Sequence, residues 1–454
     1  MTAAVSSILD SPPRGRKKPP DPKPAVPEQT HFDIATDWIA TQGALAPVAD
    51  EGRLWAYRET SGLWEAIPPE RIHTDIGARF RSQNCKKYAD YKAVAALVHD
   101  MTACPEYFAG APIGCMTPDG FYAVRGSEFT VSPPSPELRQ RCAMAVTPAD
   151  TDTSRFDQFL DQSFRHDDLG TSIAQQRLLQ EIVGAALVGT FYRYERAVLL
   201  HGKAQAGKST VLRLIEALFP PQFVGSVSPF AWSDDYHAAA LAGLRINLVG
   251  ELPADKELPA AAFKLITGRD AVQGRHPFGR VFSFRPTCGH IFNSNDFITT
   301  RDQHPAFWRR WLCLDFANSV PDTDRDEDLG ERIIREELPG VAWWGLEGAR
   351  RLAARGGFTN SPAHHAVLKR WRQSSDAVAE FLADADAVRV DAAAVAVRGE
   401  AYEAFRAWCK DNGRQALAKR KFFSRIEGLG YVISQTSNGY WVIRGIGLVP
   451  TSMT

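Results

Sequence analysis

Residues 197–219, AVLLHGKAQAGKSTVLRLIEALF, predict a strand, a glycine-containing loop and a helix in direct succession. Residues 197–201 form the short apolar run that is typical of a buried strand. Residues 202–209, GKAQAGKS, match the pattern G-x-x-x-x-G-K-[ST], and two prolines stop the helix after residue 219. The backbone N–H groups of such a loop and the positive end of the helix bind phosphate groups. The stretch therefore predicts an α/β fold that binds a nucleoside triphosphate.

The residue types in this loop have distinct predicted roles. Lys208 would reach the β- and γ-phosphates, and the Ser209 hydroxyl would hold Mg²⁺. A strand-to-helix turn that binds nothing is the alternative, and the complete motif in its strand–helix context argues against it. The predicted nucleotide-binding residues are Gly202, Lys203, Ala204, Gln205, Ala206, Gly207, Lys208, Ser209 and Thr210.

Composition indicates an ordinary globular protein. The 454 residues correspond to about three domains of roughly 150 residues. The 53 Lys and Arg residues equal the 53 Asp and Glu residues, so any nucleic-acid surface must come from local clusters. No apolar run approaches the roughly 18 residues of a membrane span, and no signal peptide opens the chain. Seven cysteines without a C-x-x-C pair argue against a zinc site and for a reducing compartment, so we expect a cytoplasmic protein without a membrane partner.

Changes in pattern divide the chain into six predicted segments. The first is rich in proline, with basic residues between Arg14 and Lys18, and is predicted to be disordered; a DNA-contacting arm is the alternative. Within the α/β domain, residues 54–64 predict a hairpin, 69–80 a helix and 121–124 a strand. The helix of the block before the loop would be capped by Thr171 or Ser172, and for this block both core packing and a collar between subunits remain open. Trp343, Trp344 and Trp371 are predicted to be core residues. The segments are a leader (1–30), an α/β domain (31–150), the helical block (151–196), the nucleotide-binding core (197–320), a helical lid and linker (321–397) and a C-terminal module (398–454).

Three further features follow the loop in the order that an ATPase needs. One strand-like run ends in Glu251, whose carboxylate beside the loop would help hold Mg²⁺ and orient the attacking water. Another ends in Asn295, whose amide would contact the γ-phosphate or its water. Arg309 and Arg310 directly precede a third, where an arginine suits a finger that acts across a subunit boundary. Each feature alone is common, but their order after the loop predicts ATP hydrolysis.

The C-terminal module reads as two helices (399–411 and 417–428) and a hairpin around the turn at 437–439, a winged-helix arrangement. Residues 398–454 carry nine Lys and Arg residues against four Asp and Glu residues. A basic second helix can enter a DNA major groove, whereas a protein-binding winged helix is the alternative. The predicted DNA contacts on that helix are Lys419, Arg420, Lys421 and Arg425.

Residues 150–320 resemble the superfamily 3 helicases, hexameric AAA+-type motors of small DNA viruses, phages and plasmids. They are similar in particular to phage and satellite-phage primase-helicases with a poxvirus-type helicase half. The stretch 263–284, FKLITGRDAVQGRHPFGRVFSF, looks like the family's K-x-x-T-G-G-D element followed by the pore hairpin. The resemblance places Arg275 and His276 on the Lys-His pair that grips DNA in the central channel of related motors.

The same resemblance makes Asn295 the polar sensor residue and Arg310 the arginine finger, with Arg309 as the alternative. Two positions depart from the family. Arg269 occupies the position of the second glycine in the family's G-G-D element. A single acidic residue, Glu251, ends the strand on which the family often has two adjacent acidic residues. We therefore expect Glu251 to serve both the metal and the water.

The resemblance, which covers most of residues 150–446, implies an α/β P-loop NTPase (AAA+-like) core with an N-terminal mixed region and a C-terminal winged-helix module. It implies a hexameric, ATP- and Mg²⁺-dependent DNA helicase in the cytoplasm of a bacterial host. Single-stranded DNA would pass through the ring, the C-terminal module would bind origin duplex, and a separate primase is a possible partner. A DNA-binding AAA+ switch or loader without unwinding activity, and a small-molecule phosphotransferase, are the alternatives.

Overall fold

The computed structural model describes residues 29–80, 85–125, 128–253, 256–276, 281–321, 323 and 326–449. The basic cluster of the predicted leader therefore lies outside the described residues. The chain forms two compact units. The first contains the residues up to Pro47 and the segment Ile67–Ala103, and the second contains Val48–Ala66 and the residues from Cys104 onwards. The predicted N-terminal domain, residues 31–150, is thus divided between both units.

Three helices form the first unit: α1 (His31–Ala40), α2 (Pro69–Arg79) and α3 (Tyr88–Met101). Helix α1 starts with a capping box, in which Thr30 accepts from the Asp33 amide and Asp33 accepts from the Thr30 amide. Apolar residues of all three helices, including Trp38, are buried. Helix α2 confirms the helix predicted between residues 69 and 80.

The second unit begins with two small three-stranded sheets. The first consists of β1 (Val48–Asp50), β2 (Arg53–Arg58) and β3 (Leu63–Ile67), and the second of β4 (Gly114–Thr117), β5 (Gly120–Arg125) and β6 (Glu128–Ser132). The hairpin predicted between residues 54 and 64 and the strand predicted at 121–124 are both confirmed.

Helices α4 (Ser154–Ser163) and α5 (Leu169–Leu187) precede the central sheet. Sequence analysis placed the N-cap of α5 at Thr171 or Ser172, but Asp168 caps it by accepting from the Gly170 and Thr171 amides. Two carboxylate oxygens can satisfy two helix N–H groups at once, which moves the start of the helix upstream. Apolar residues of α5, such as Leu178 and Ile182, are fully buried, so the helix contributes to the core of its own chain.

The centre of the second unit is a five-stranded parallel sheet. In spatial order its strands are β13 (Trp311–Phe316), β7 (Ala197–Gly202), β12 (Gly289–Ser294), β9 (Ile246–Val249) and β8 (Val224–Gly225). Alternate side chains of β7 enter separate cores: Val198 and Leu200 pack on one face, Ala197 and Leu199 on the other. Burial on both faces explains why these strands read as continuous apolar runs.

Helices cover both faces of this sheet. Strands β10 (Val272–Arg275) and β11 (Val281–Phe284) form an antiparallel pair, called here the β10–β11 hairpin, whose Val272 and Phe284 are buried in the core. Trp371 is completely buried, and Trp343 and Trp344 pack against the core, as the sequence indicated. The remaining helices of this region are α6 (Lys208–Ala217), α7 (Asp235–Ala239), α8 (Ala260–Thr267), α9 (Pro305–Trp308), α10 (Leu329–Glu336), α11 (Leu338–Arg355) and α12 (Pro362–Ser374).

The C-terminal module has a hydrophobic core of its own. Its elements are α13 (Ala377–Ala383), β14 (Val388–Val397), α14 (Arg398–Asp411), α15 (Lys419–Gly428), β15 (Val432–Gln435) and β16 (Trp441–Leu448). The sheet is antiparallel in the order β14–β16–β15. The boundary predicted at residue 398 leaves out α13, which packs into this core, and β14, which pairs with β16. No helix in the described part of the chain is long and apolar enough to cross a membrane.

Candidate functional site

The predicted phosphate loop, residues 202–209, connects β7 to α6. Gly202 (φ +144°) and Gly207 (φ +95°) adopt conformations that favour glycine. A Cβ atom at Gly207 would lie 2.7 Å from Ser163 Oγ, and one at Gly202 would lie 2.2 Å from the Phe316 carbonyl oxygen. The two glycines of the motif are therefore required both by backbone conformation and by close packing.

The segment after β13 holds this loop in place. The Val320 amide donates to the Gln205 carbonyl oxygen at 3.1 Å, and the Ser319 hydroxyl donates to the Ala204 carbonyl oxygen at 3.0 Å. The N-cap of α6 is Gly207, which has no side chain to accept from the first helical N–H groups. The start of α6 therefore offers N–H donors and a positive helix end to an anion.

Lys208 is a buried cation whose ammonium group contacts neutral oxygen atoms. The residue is 5% exposed, and its Nζ donates to the Gly202 carbonyl oxygen at 2.9 Å, to Asn295 Oδ1 at 2.8 Å and to the Lys203 carbonyl oxygen. Burial lowers the pKa of Lys208. No ion pair joins Lys208 to a carboxylate of the described residues, so a buried positive charge remains uncompensated. Phosphate oxygens would compensate it.

Glu251 and Asn295 lie at the same edge of the sheet as the loop, because the carboxyl ends of parallel strands meet there. Asn295 directly follows β12, and the exposed Glu251 follows β9. In the sheet β12 lies between the loop strand β7 and β9, the strand that precedes Glu251. Chain order does not reveal this spatial order.

Together these residues line a cleft of about 860 Å³. Lys208, Ser209, Thr210, Glu251 and Asn295 all contribute, as the sequence predicted. The cleft also contains side chains that sequence analysis missed, from α4, from α6, from the middle of β12 and from the chain after β13: Arg155, Ser163, Arg213, Asn293, Asp326 and Glu327.

Asn293 is the most informative of these additions. Its Nδ2 donates to the Gly250 carbonyl oxygen at 2.7 Å, which ties the end of β9 to β12. Its Oδ1 is buried and has no hydrogen-bond partner. A buried acceptor at the wall of a cleft that has no donor within the protein can accept a hydrogen bond from a group bound in the cleft. The sequence contained a signal for Asn293. It lies two residues before Asn295, and in an extended chain such residues point to the same face.

The donors at the cleft fit Mg²⁺, which prefers oxygen ligands. The Ser209 hydroxyl and the Glu251 carboxylate are such donors, and both residues are exposed to the cleft. In the described part of the chain no group of three or more His, Cys, Asp or Glu residues could hold a metal by itself. Mg²⁺ here would thus take phosphate oxygens and water as its other ligands.

Arg309 and Arg310 differ in burial, although both guanidinium groups lie near the Glu195 carboxylate, at 3.4 Å and 3.8 Å, and neither residue lines the cleft. The Arg310 side chain is 9% exposed, and it donates to the Ala306 carbonyl oxygen at 2.6 Å. The Arg309 side chain is 63% exposed and lies 3.4 Å from the Glu195 carboxylate. Arg310 was the preferred finger in the sequence prediction; its burial in its own chain favours the alternative, Arg309.

The hairpin residues predicted to grip DNA lie at the end of β10, whose connection to β11 falls outside the described residues. Arg275 is exposed, whereas His276 is half-buried and stacks on Phe282, with ring centroids 4.8 Å apart. Burial and the nearby Arg53 lower the pKa of His276. The accessible charge of the pair is therefore that of Arg275.

Arg269, which replaces the expected glycine, adopts a left-handed backbone conformation with φ +65°. Its carbonyl oxygen accepts from the Arg285 guanidinium at 2.8 Å, and its own guanidinium lies 5.5 Å from the centre of the Tyr192 ring. The turn therefore keeps a glycine-like geometry, and these contacts hold it.

The four basic residues predicted to bind DNA on α15 do not share one environment. Lys419, Arg420 and Lys421 are exposed. The guanidinium of Arg425 instead donates to the Asp376 carboxylate, with 2.8 Å between Nε and Oδ2, and Asp376 is 4% exposed. Arg425 therefore stabilises the module internally and is the least exposed of the four predicted DNA contacts.

A family of unknown function (DUF5906) matches residues 200–310, which include the loop, Glu251 and Asn295. No curated protein matches the sequence. Two solved structures are similar over 92% of this chain and 100% of their own. An A-form apo structure of the NrS-1 C-terminal region has 11% identity and a TM-score of 0.48, and an apo structure of the same region (305–718) has 12% identity and a TM-score of 0.45. At this distance the similarity says nothing about activity.

Proposed function

We propose that the chain is an ATP-driven DNA helicase that acts as a ring, with the cleft between the loop and β12 as its ATPase site. One observation carries the ATPase part of this proposal: the buried ammonium group of Lys208 contacts neutral oxygens at the start of an uncapped helix. Both features favour a polyanion at this point. The superfamily 3 resemblance of residues 150–320 supports DNA as the polymer on which the ATPase acts.

The residues at the cleft have separate roles in the proposed hydrolysis of ATP. Lys208 leaves the Asn295 amide to bind the β- and γ-phosphates, and the loop N–H groups bind the remaining phosphate oxygens. The released Asn295 then orients the attacking water, and the Glu251 carboxylate accepts its proton. When bound, Mg²⁺ would be held by Ser209 and Glu251 and would neutralise charge on the phosphates.

In the proposed ring, two further residues act outside the cleft. Arg309, exposed between α9 and β13, reaches the γ-phosphate of a neighbouring subunit. Arg275 on the β10–β11 hairpin contacts the DNA backbone in the channel, where binding rests mainly on phosphate charge and is weakly dependent on sequence. Both residues act away from the ATP that their own loop binds.

ATPase and strand-displacement assays on the full chain test the proposal. ATPase activity should rise with single-stranded DNA, and a forked duplex should be separated while ATP is consumed. Lys208→Ala should abolish both activities. Lys369→Ala removes an exposed lysine on α12 outside the cleft and should leave both unchanged.

Two outcomes contradict the proposal in different ways. ATP hydrolysis without strand separation would indicate the ATPase switch or loader in place of the helicase. Hydrolysis in Lys208→Ala at the wild-type rate would remove the assignment of the cleft.

A further inference from the structure

A second cavity, of about 830 Å³, lies in the C-terminal module. Its lining comes from the end of β14, the start of α14, one side of α15 along most of its length, and strands β15 and β16. It shares no lining residue with the ATPase cleft. The residues that define it, called here the wing pocket, are Arg398, Lys419, Arg420, Phe423, Glu427 and Trp441.

The wing pocket is positively charged. Arg398, Lys419 and Arg420 contribute three cations, and Glu427 is the acidic residue of the lining. None of the three cations forms an ion pair with a carboxylate of the described residues. The Nε of Arg398 is buried and has no hydrogen-bond partner. A guanidinium group with a buried Nε that has no partner, beside two exposed cations, favours an anionic ligand.

Backbone groups strengthen this preference, because the two helices that line the pocket both begin there. The N-cap residues Val397 of α14 and Ala418 of α15 provide no side-chain hydrogen bond to the helix. Space is also available, because a Cβ atom at Gly399, in the first turn of α14, would meet nothing within 4 Å. The first turns of both helices therefore line one pocket, and no N-cap side chain occupies their N–H groups, a combination that favours an anion.

An aromatic surface lies beside these cations. Trp441 is 49% exposed although it lines the pocket, and the Arg398 guanidinium lies 5.8 Å from its ring centre and 4.1 Å from that of Phe423. An exposed indole ring is a stacking platform for a nucleobase, and every base can use it. Phosphate donors and a stacking ring thus occur within one pocket.

We propose that the wing pocket binds one nucleotide unit of a single DNA strand. Its phosphate contacts Arg398, Lys419 and Arg420, and its base stacks on Trp441. A base inside a duplex has both faces covered by its neighbours, so stacking on Trp441 selects an unpaired or terminal nucleotide over intact duplex. The inference rests on the DNA-binding part of the proposed function. Binding of a single strand in this pocket takes the place of the predicted insertion of α15 into a DNA major groove.

Fluorescence anisotropy on the full-length protein without ATP tests the wing pocket. The probes are a labelled single-stranded oligodeoxynucleotide, a blunt duplex of the same sequence and a labelled deoxynucleoside monophosphate. Trp441→Ala should weaken single-strand binding about fivefold or more, because base stacking on aromatic rings has effects of this size. Arg420→Ala should weaken it as well, and should lower the log–log slope of affinity against salt by about 0.7 for the lost phosphate contact.

Two further variants serve as comparisons. Lys410→Ala removes an exposed lysine from the opposite end of α14 and should bind the oligonucleotide like the wild type. Lys421→Ala removes an exposed cation of α15 that does not line the pocket. A loss in Lys421→Ala with none in Arg420→Ala and Trp441→Ala would overturn the proposal, since it would place DNA on the other side of the helix.

The remaining outcomes separate this inference from the ATPase assignment. Single-strand binding that all pocket variants retain overturns the inference and leaves the ATPase site untouched. Equal or tighter binding of the duplex overturns it as well. Absence of DNA binding in the wild type overturns both this inference and the DNA part of the proposed function. Loss of monophosphate binding alone would identify the pocket as a site for free nucleotides and overturn the DNA strand as its ligand.

Discussion

The ammonium group of Lys208 and the amide oxygen of Asn295 are 2.8 Å apart, although 86 residues separate them in the chain. This hydrogen bond joins the first residue of α6 to the end of β12, across the floor of the cleft. In the proposed ATPase both groups would exchange partners when a triphosphate binds, because phosphate oxygens would take the place of the amide oxygen. The contact would then couple nucleotide binding to the position of Asn295.

Asn295→Ala should bind ATP nearly normally but hydrolyse it slowly. The variant keeps Lys208 and the loop, which provide the phosphate contacts, and loses the group that orients water. Removal of one such preorganised group costs on the order of 10²-fold in turnover in other enzymes. Single-turnover hydrolysis and titration with a fluorescent ATP analogue measure the two effects. Asn295→Asp is the matched comparison: its carboxylate would pair with Lys208 and repel phosphates, so it should weaken binding as well. Unchanged turnover in both variants would exclude a role for Asn295.

Arg309→Ala should lower turnover severely and should be rescued by mixing. Arginine fingers contribute on the order of 10³–10⁵ in turnover. When this variant is mixed with Lys208→Ala protein, some interfaces combine an intact loop with an intact finger, and ATPase activity should return. Arg310→Ala should instead reduce thermal stability, because that side chain is buried against its own chain. If Arg310→Ala is the variant that mixing rescues, the original sequence prediction is right and the choice of Arg309 is wrong.

Arg275→Ala should uncouple ATP consumption from unwinding. The substitution removes an exposed charge from the β10–β11 hairpin and leaves the cleft unchanged. ATPase rate and strand displacement are measured on the same preparation, and only displacement should fall. Gln273→Ala provides the control, since it removes an exposed neutral side chain from the same strand. Wild-type unwinding by Arg275→Ala would show that the hairpin does not move the strand.

The protein should lose stability as the pH falls from about 6.5 towards 4. His290 is 2% exposed, packs 4.6 Å from Trp232, and burial lowers its pKa to about 3. Burial likewise lowers the pKa of His201 and of His364 to about 4. Within this window the unfolded chain binds protons that the folded chain excludes, so lower pH favours unfolding.

Thermal unfolding at pH 7 and pH 5 measures this effect. At pH 5 each such histidine contributes a loss of about 2 kcal/mol, from 1.36 kcal/mol per pH unit below its ordinary pKa. His290→Leu should therefore show a smaller drop in Tm between the two pH values than the wild type. Gln273→Ala, which removes an exposed side chain that binds no proton, should show the full drop. An equal drop in His290→Leu would mean that His290 does not contribute.

The local elements of this protein follow from its sequence. The loop at 202–209, the strands that end before Glu251 and Asn295, and helices α14 and α15 were predictable because each depends on residues close together in the chain. Apolar periodicity identifies the buried strands, and glycine marks the backbone conformations that the loop requires. The identities of Lys208, Ser209, Glu251 and Asn295 as neighbours in one cleft also followed, since parallel strands place their carboxyl ends at one edge.

The tertiary structure alone decided which side chains are accessible. Arg309 and Arg310 are adjacent and chemically identical in the sequence, yet packing buries one guanidinium and exposes the other. In the sequence Arg425 resembles the nearby Lys421, but in the structure its guanidinium pairs with Asp376, which is distant in the chain. Burial and ion pairing depend on residues that are distant in sequence, and the free energy of a charge depends on that environment. Motifs therefore locate the chemistry of this chain, and the packing of distant segments selects the groups that can perform it.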